Sequence, residues 1–173
     1  MVRAGILTVS DKGSRGERQD RSGEAIRRIL EEEGFRVERQ EIVPDEIPVI
    51  RERLVAWTDH DELDLVLTTG GTGFAPRDVT PEATAQILER PTPGISEAIR
   101  AEGRKKTARA ILSRGTAGIR GKTLIVNLPG SVRAVEESLE VLLPVLRHGI
   151  EVLRGEVSEC GRGSEGGSDK APV

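Results

Sequence analysis

The stretch Leu65-Val66-Leu67-Thr68-Thr69-Gly70-Gly71-Thr72-Gly73 holds the residues best suited to chemistry. An apolar run empties into a cluster of glycines and threonines. Glycine lets the backbone turn through positive φ and lets N–H groups approach a ligand with no Cβ in the way. Threonine hydroxyls add donors. Pro76-Arg77-Asp78-Val79-Thr80-Pro81-Glu82 follows, so a helix begins just beyond the loop, and its N-terminal partial charge suits phosphate. An aspartate in this setting is unfavourable against bare phosphate, but a Mg²⁺ between the two reconciles them. Thr69, Gly70, Gly71, Thr72, Gly73 and Asp78 are therefore expected to hold a metal-complexed, phosphorylated substrate.

Two further segments have a similar character. Asn127-Leu128-Pro129-Gly130-Ser131 follows an apolar run and leads into a helix, with Ser131 at least its N-cap. Ser10-Asp11 follows another apolar run, and Asp20 or Ser22 stands where the next helix is capped. Asp11 and Asp20 are open between loop hydrogen bonding and substrate contact. Asp45, in Pro44-Asp45-Glu46, sits where a helix cap belongs, and spacing alone favours capping. Gly121-Lys122-Thr123 suggests a P-loop, but the glycine required five positions before Gly121 is Thr116, and a strand follows instead of a helix. Gly70, Gly71 and Gly73 do not fit the dinucleotide pattern GxGxxG either. His60 and His148 have no partners at useful spacing and read as surface or packing residues, and Arg104-Lys105-Lys106 reads as a solvated face.

The elements that must position these residues follow from periodicity. Ala4–Val9 and Leu63–Thr68 are short apolar runs that predict buried strands, and Arg36–Val43, with its charges, predicts a strand near a sheet edge. Ser10–Gln19 is polar and reads as a loop. Ala25, Ile26, Ile29 and Leu30 share one helical face, with Gly34 ending that helix. Ile47, Ile50, Leu54 and Trp57 mark a second amphipathic helix. Thr80-Pro81-Glu82 gives an N-cap and an acidic first turn for a helix to about Glu89. A short helix is expected over Ile95–Ala101, then a charged turn over Arg100–Lys106. Thr116–Ile119 and Thr123–Asn127 flank Arg120-Gly121 as a hairpin. A last helix carries Val132, Val135, Leu139, Leu142 and Leu143, with Pro144 kinking it or starting a new one through Leu153. Strands alternating with helices predict an α/β fold, a three-layer arrangement around a largely parallel sheet. Ligands in such sheets bind beyond the carboxyl ends of the strands, so the three chemical loops should converge on one rim.

Composition narrows the function. The chain has 173 residues, 36% of them hydrophobic, enough for one domain over residues 1–155 with a flexible Gly/Ser-rich tail over 156–173. A net charge of −3 and the scarcity of aromatics, with no tyrosine, argue against a nucleic-acid protein built on a basic field or base stacking. Cys160 stands alone, which excludes an intramolecular disulfide and a cysteine zinc cluster. With two histidines in the chain, metal chemistry is expected to be oxygen-ligated, which favours Mg²⁺. The apolar stretch Met1–Leu7 is too short for a signal peptide, and no segment approaches a membrane span. A cytoplasmic protein without membrane or nucleic-acid partners is expected.

The chain also resembles a known family, the molybdopterin adenylyltransferases, which include bacterial molybdenum-cofactor biosynthesis proteins and the G domains of gephyrin and its plant counterpart. The resemblance covers roughly Ile6 to Val152 and rests on Thr8-Val9-Ser10-Asp11, Asp20-Arg21-Ser22-Gly23, Val43-Pro44-Asp45-Glu46 and Leu67 to Ala83. It continues through Ile111-Leu112-Ser113-Arg114, Gly118 to Thr123 and Asn127 to Ser131. It implies a trimeric α/β protein that binds molybdopterin and Mg·ATP and makes adenylylated molybdopterin and pyrophosphate, with handover to a molybdate-insertion protein. Two family aspartates important to the reaction match Asp45 and Asp78, which raises Asp45 above a mere cap and gives both a metal or nucleotide role. The resemblance puts phosphate and nucleotide on the loop Thr69 to Gly73 and the turn Asn127, Leu128, Pro129, Gly130. On the mechanism it implies, Gly70, Gly71, Thr72 and Gly73 are expected to cradle phosphates, Asn127, Pro129, Gly130 and Ser131 to line the nucleotide side, and Ser10, Asp11, Asp20 and Ser22 to face the pterin phosphate. A non-catalytic molybdopterin-binding scaffold and a nucleotide hydrolase are the rival readings; pyrophosphate release that depends on molybdopterin separates all three.

Overall fold

A computed structural model describes residues 1–156. The tail expected over 156–173 lies, beyond Glu156, outside the described residues. The strands are β1 (Arg3–Val9), β2 (Arg36–Val43), β3 (Leu65–Thr69), β4 (Arg90–Pro91), β5 (Ala117–Arg120) and β6 (Thr123–Leu128). The α-helices are α1 (Asp11–Ser14), α2 (Arg21–Glu32), α3 (Ile47–Val55), α4 (Thr80–Ala85), α5 (Pro93–Lys106) and α6 (Val132–Arg154). A π-helical turn, Ala56–His60, continues α3, and a 3₁₀ turn, Ala108–Leu112, follows α5.

One six-stranded sheet runs in the order β2-β1-β3-β6-β5-β4. β2, β1, β3 and β6 are mutually parallel, and β5 and β4 add antiparallel edges. Strand alternation sends side chains to two cores. Ile6, Leu65, Leu67 and Val126 face α2, α5 and α6, where they meet Ile26, Ile99, Leu139 and Leu146. Leu7, Val66 and Ile125 face the opposite layer, where they meet Ile50, Leu54, Trp57 and Ala83. Burying such side chains on both faces contributes about 1.5–3 kcal/mol each, which is why the central strands read as unbroken apolar runs. The three-layer α/β fold expected from sequence is the one observed, with β2 at the sheet edge and a β5–β6 hairpin closing at Gly121, φ +56°.

The parallel strands β1, β3 and β6 lie side by side in register, with Thr69 beside Thr8 and Leu128. Their carboxyl ends therefore deliver Ser10, Gly70 and Pro129 to one rim. The Thr69 hydroxyl donates to Pro129 O at 2.7 Å, tying the two turns together.

Several boundaries differ from expectation, each for a local reason. The loop over Ser10–Gln19 contains α1, capped by Ser10, whose Oγ accepts from Gly13 N at 3.0 Å. Thr80 is not the N-cap of α4; Val79 holds that position without a side-chain bond. α4 stops at Ala85 instead of Glu89 because the chain beyond it peels away to pair with β5, Glu89 N donating to Ile119 O at 2.9 Å. α5 runs on through Lys106, so the expected charged turn is its last turn, and the basic residues there suit the negative helix terminus. α6 is continuous across Pro144. Among the described residues, no helix is long and apolar enough to cross a membrane.

Candidate functional site

The Thr69–Gly73 loop turns its carbonyls into the protein. Gly70 O accepts from Thr80 Oγ1 at 2.9 Å and Gly71 O from Thr80 N at 3.1 Å. Thr72 O accepts from Arg114 N at 2.9 Å and Gly73 O from Arg114 Nε at 2.8 Å. No acceptor among the described residues takes the N–H of Gly71, Thr72 or Gly73. Successive donors left unspent while their carbonyls are tied back form an anion-binding concavity. Glycine is required at two points: Gly70 and Gly71 have φ of +95° and +62°, and a Cβ on Gly70 would collide with Val9 O.

Two carboxylates border this loop. A Cβ on Gly71 would stand 3.1 Å from Asp45 Oδ1, and one on Gly73 would stand 2.8 Å from Asp78 Oδ2. Each aspartate is held by one oxygen only. Asp45 Oδ2 accepts from Asp11 N at 2.8 Å, and Asp78 Oδ2 accepts from Ala75 N at 2.9 Å. The other oxygen of each takes no donor from the described residues. Burial pushes the Asp45 carboxyl above its ordinary value, and the negative charges of Asp11 and Asp78 push the same way against the pull of the Asp11 amide. Asp11 is the reverse case. Arg77 grips it through two bonds of 2.6 and 2.8 Å and holds its carboxyl below the usual range.

The capping role that spacing favoured for Asp45 is not what the side chain does. Glu46 is the α3 N-cap residue and makes no side-chain cap bond, whereas Asp45 and Asp11 each accept from the other's amide. Asp20 does cap its helix: Oδ1 accepts from Gly23 N at 2.8 Å and from Ser22 Oγ at 3.3 Å, and Oδ2 accepts from Thr8 Oγ1 at 2.7 Å.

Two cavities adjoin the glycine loop. The first, about 460 Å³, has apolar walls at Ile99, Ala110, Leu112 and Ala134, with Arg100 and Arg109 among its polar residues. The second, about 920 Å³, is lined by polar side chains including Ser10, Arg18, Asp20, Arg21 and Ser22. Gly71, Asp78, Gly130 and Ser131 line both. Thr72, Gly73 and Pro129 face only the first, and Thr69, Gly70 and Asp45 only the second. Ser131 caps α6, its Oγ accepting from Ala134 N at 3.3 Å, so the N-terminus of a 23-residue helix meets the shared wall.

Two expected site residues lie elsewhere. Asn127 lines neither cavity: its amide donates to Thr68 and Thr84 at 2.9 Å each, and its carbonyl accepts from Thr116 N at 3.2 Å. With these three bonds spent on the fold and 3% exposure, its side chain ties β3, α4 and Thr116 together, and the structure does not place it on the wall of either cavity where a nucleotide contact was expected. Asp11 lines neither cavity either, and its carboxylate is spent on Arg77 and the Asp45 amide.

The residues that sequence reasoning passed over are cations and a threonine. Arg18 and Arg21 line the second cavity, and among the described residues no acceptor takes either guanidinium. Most of the other described arginines have acidic or carbonyl partners, so a pair left unspent on a cavity wall is a signal that sequence could not show. Thr80 and Arg114 act on the glycine loop from outside the cavities.

A divalent cation fits the donor set. Among the described residues, no three ligand-type side chains surround one point, but two carboxylates with one free oxygen each border a phosphate-competent loop. That matches Mg²⁺, which commonly takes one or two protein carboxylates and completes its shell with substrate phosphates and water.

The comparisons with known proteins agree with the geometry. The profile of a protein family described as "Probable molybdopterin binding domain" matches residues 5–148. The molybdopterin adenylyltransferase of Helicobacter pylori strain J99 is 41% identical over 156 residues, 89% of each chain. The molybdenum cofactor synthesis protein cinnamon of Drosophila melanogaster is 46% identical over 155 residues, but the match covers 89% of this chain and only 26% of that longer protein. Among solved structures, the molybdopterin biosynthesis enzyme MoaB of Thermus thermophilus superposes with a TM-score of 0.85 at 56% identity, covering 90% of this chain and 98% of that one. A fold, a glycine loop and a rim of this kind, matched across most of the chain, lead to one conclusion: the chain belongs to the molybdopterin-binding domain family of molybdenum-cofactor biosynthesis proteins.

Proposed function

We propose that the protein transfers AMP from Mg·ATP to the terminal phosphate of molybdopterin, releasing pyrophosphate. The observation that carries this reading is the wall shared by two cavities, made of Gly71, Asp78, Gly130 and Ser131. A transfer between two phosphorylated molecules needs two binding sites whose phosphate ends meet, and such a wall is where they would meet. The apolar walls of the first cavity suit an adenine ring, and the polar second cavity, with Arg18 and Arg21, suits the pterin and its phosphate.

In this reaction a terminal phosphate oxygen of molybdopterin forms a bond to the α-phosphorus of ATP. The bond from that phosphorus to the β-bridging oxygen breaks, and its electrons leave with pyrophosphate. The attacking phosphate is already ionised at neutral pH, so no general base is needed. The protein's task is positioning and charge neutralisation. The amides of Gly71, Thr72 and Gly73 would face the phosphates without reorganising, and Asp45 and Asp78 would hold Mg²⁺ through their free oxygens. Bound there, Mg²⁺ supplies positive charge against the phosphates of two polyanions. Family resemblance further suggests a cytoplasmic homotrimer that hands its product to a molybdate-insertion protein.

The test is product analysis with both substrates. Adenylylated molybdopterin and pyrophosphate are expected in equal amounts, with neither formed when one substrate is omitted. Asp78→Ala is expected to lower turnover roughly 10²–10³-fold, as deleting one electrostatic stabiliser does, with little change in melting temperature. ATP consumption without pterin would show a hydrolase instead, and binding of both substrates without pyrophosphate would show a carrier.

A further inference from the structure

We infer that Arg114 is a positioning residue, a strap that holds the Gly73 end of the glycine loop and the backbone of Asp78 in place for the phosphates; this rests on the adenylyl-transfer reading. Arg114 lies just beyond the 3₁₀ turn, after the first-cavity residue Ser113, and lines neither cavity itself. Its bonds converge on one segment distant in sequence. The backbone N–H donates to Thr72 O at 2.9 Å, Nε to Gly73 O at 2.8 Å and Nη2 to Asp78 O at 2.6 Å, while Nη1 pairs with Glu82.

The arrangement has a functional direction. A carbonyl shares its peptide plane with the next residue's N–H, so the bond to Thr72 O fixes the Gly73 N–H and the bond to Gly73 O fixes the Phe74 N–H. The bond to Asp78 O fixes the backbone from which the metal-facing carboxylate projects, while Ala75 N holds that carboxylate from the other side at 2.9 Å. The Glu82 pair anchors the guanidinium on α4, whose first residue, Thr80, holds Gly70 O and Gly71 O. Arg114 and Thr80 thus clamp four successive loop carbonyls. A planar fork with several fixed donors can do this, whereas an ammonium on a flexible stem cannot reproduce it. A displacement of about 1 Å at such a site can cost on the order of 10²-fold in rate.

The test uses Arg114→Lys and Glu82→Gln in the full chain, at a temperature where parent and variant are both folded. For Arg114→Lys we expect kcat to fall at least about tenfold and half-saturating Mg²⁺ to rise about tenfold, with KM for molybdopterin within about twofold. Glu82→Gln, which loosens one arm only, is expected to shift both in the same direction by a few-fold. A merely stabilising arginine would lower the melting temperature and leave kcat and the Mg²⁺ requirement of the folded protein within twofold, which would overturn the inference. If Arg114→Lys does not fold, the same readouts on Glu82→Gln decide. If the parent releases no pyrophosphate, the adenylyl-transfer reading fails on its own, and calorimetric affinity for Mg·ATP judges the strap: about tenfold weaker in Arg114→Lys supports it, unchanged refutes it.

Discussion

At the scale of single residues, Asp45 shows how a side chain can be ambiguous in sequence and plain in structure. Its spacing before α3 matches a helix cap, yet its partner is the amide of Asp11, 34 positions away. Nothing local reports a contact of that range. The same distance hid Arg114, whose bonds reach back to Thr72, Gly73 and Asp78. The glycines were legible because their requirement is local: only a residue without Cβ suits the backbone at Gly70 and Gly71. Asp45 also carries a pH prediction. Its folded carboxyl titrates above the ordinary value of 3.8, chiefly because it is buried. The folded state therefore keeps a proton that the unfolded chain has already lost, and stability falls as pH rises from 3.8 to the raised value, then stays level. Asp45→Asn removes that cost. Its melting temperature is expected to exceed the parent's at pH 7, on the order of a degree or two for a half-buried group, with the gain shrinking as pH approaches 3.8. Turnover should fall at the same time. Thermal melts across pH check this; a gain absent at pH 7, or equal at every pH, would contradict it.

At the scale of elements, strands and amphipathic helices were readable where periodicity was strong, as in α2, β3 and β6. Boundaries were missed where tertiary pairing competes with local preference. α4 ends early because its exit pairs with β5, and α5 runs long because Arg104, Lys105 and Lys106 suit a helix terminus as well as a solvated turn. Pro144 illustrates tertiary override. The expected kink or new start does not interrupt α6, whose buried face of Val135, Leu139, Leu142, Leu146 and Ile150 continues on both sides. Packing of that face outweighs the lost backbone bond. Pro144 is itself exposed, so Pro144→Ala is expected to stabilise the protein by about 1–2 kcal/mol, less than the full ~3 kcal/mol proline penalty because alanine frees the unfolded chain. Denaturant unfolding is the measurement. Kinetics should be unchanged, and a destabilised variant would mean that the proline shapes the helix in a way the packing needs.

At the scale of the whole molecule, the sheet order explains why three loops far apart in sequence form one site. β1, β3 and β6 are adjacent and parallel, so each carboxyl end contributes a turn to the same rim. Alternating strands and helices predicted that convergence. They did not reveal that the rim carries two cavities, because the first is closed by α5 and the 3₁₀ turn, whose packing beside the loop is tertiary. The proposed function requires the glycine loop in the wall that both cavities share to hold the phosphates of both substrates. A crystal structure after soaking with Mg·ATP puts that requirement to the test. The adenine is expected in the first cavity, with phosphate oxygens within hydrogen-bonding distance of the Gly71, Thr72 and Gly73 amides and Mg²⁺ between the phosphates and Asp78. Nucleotide density with its phosphates away from that loop would contradict it.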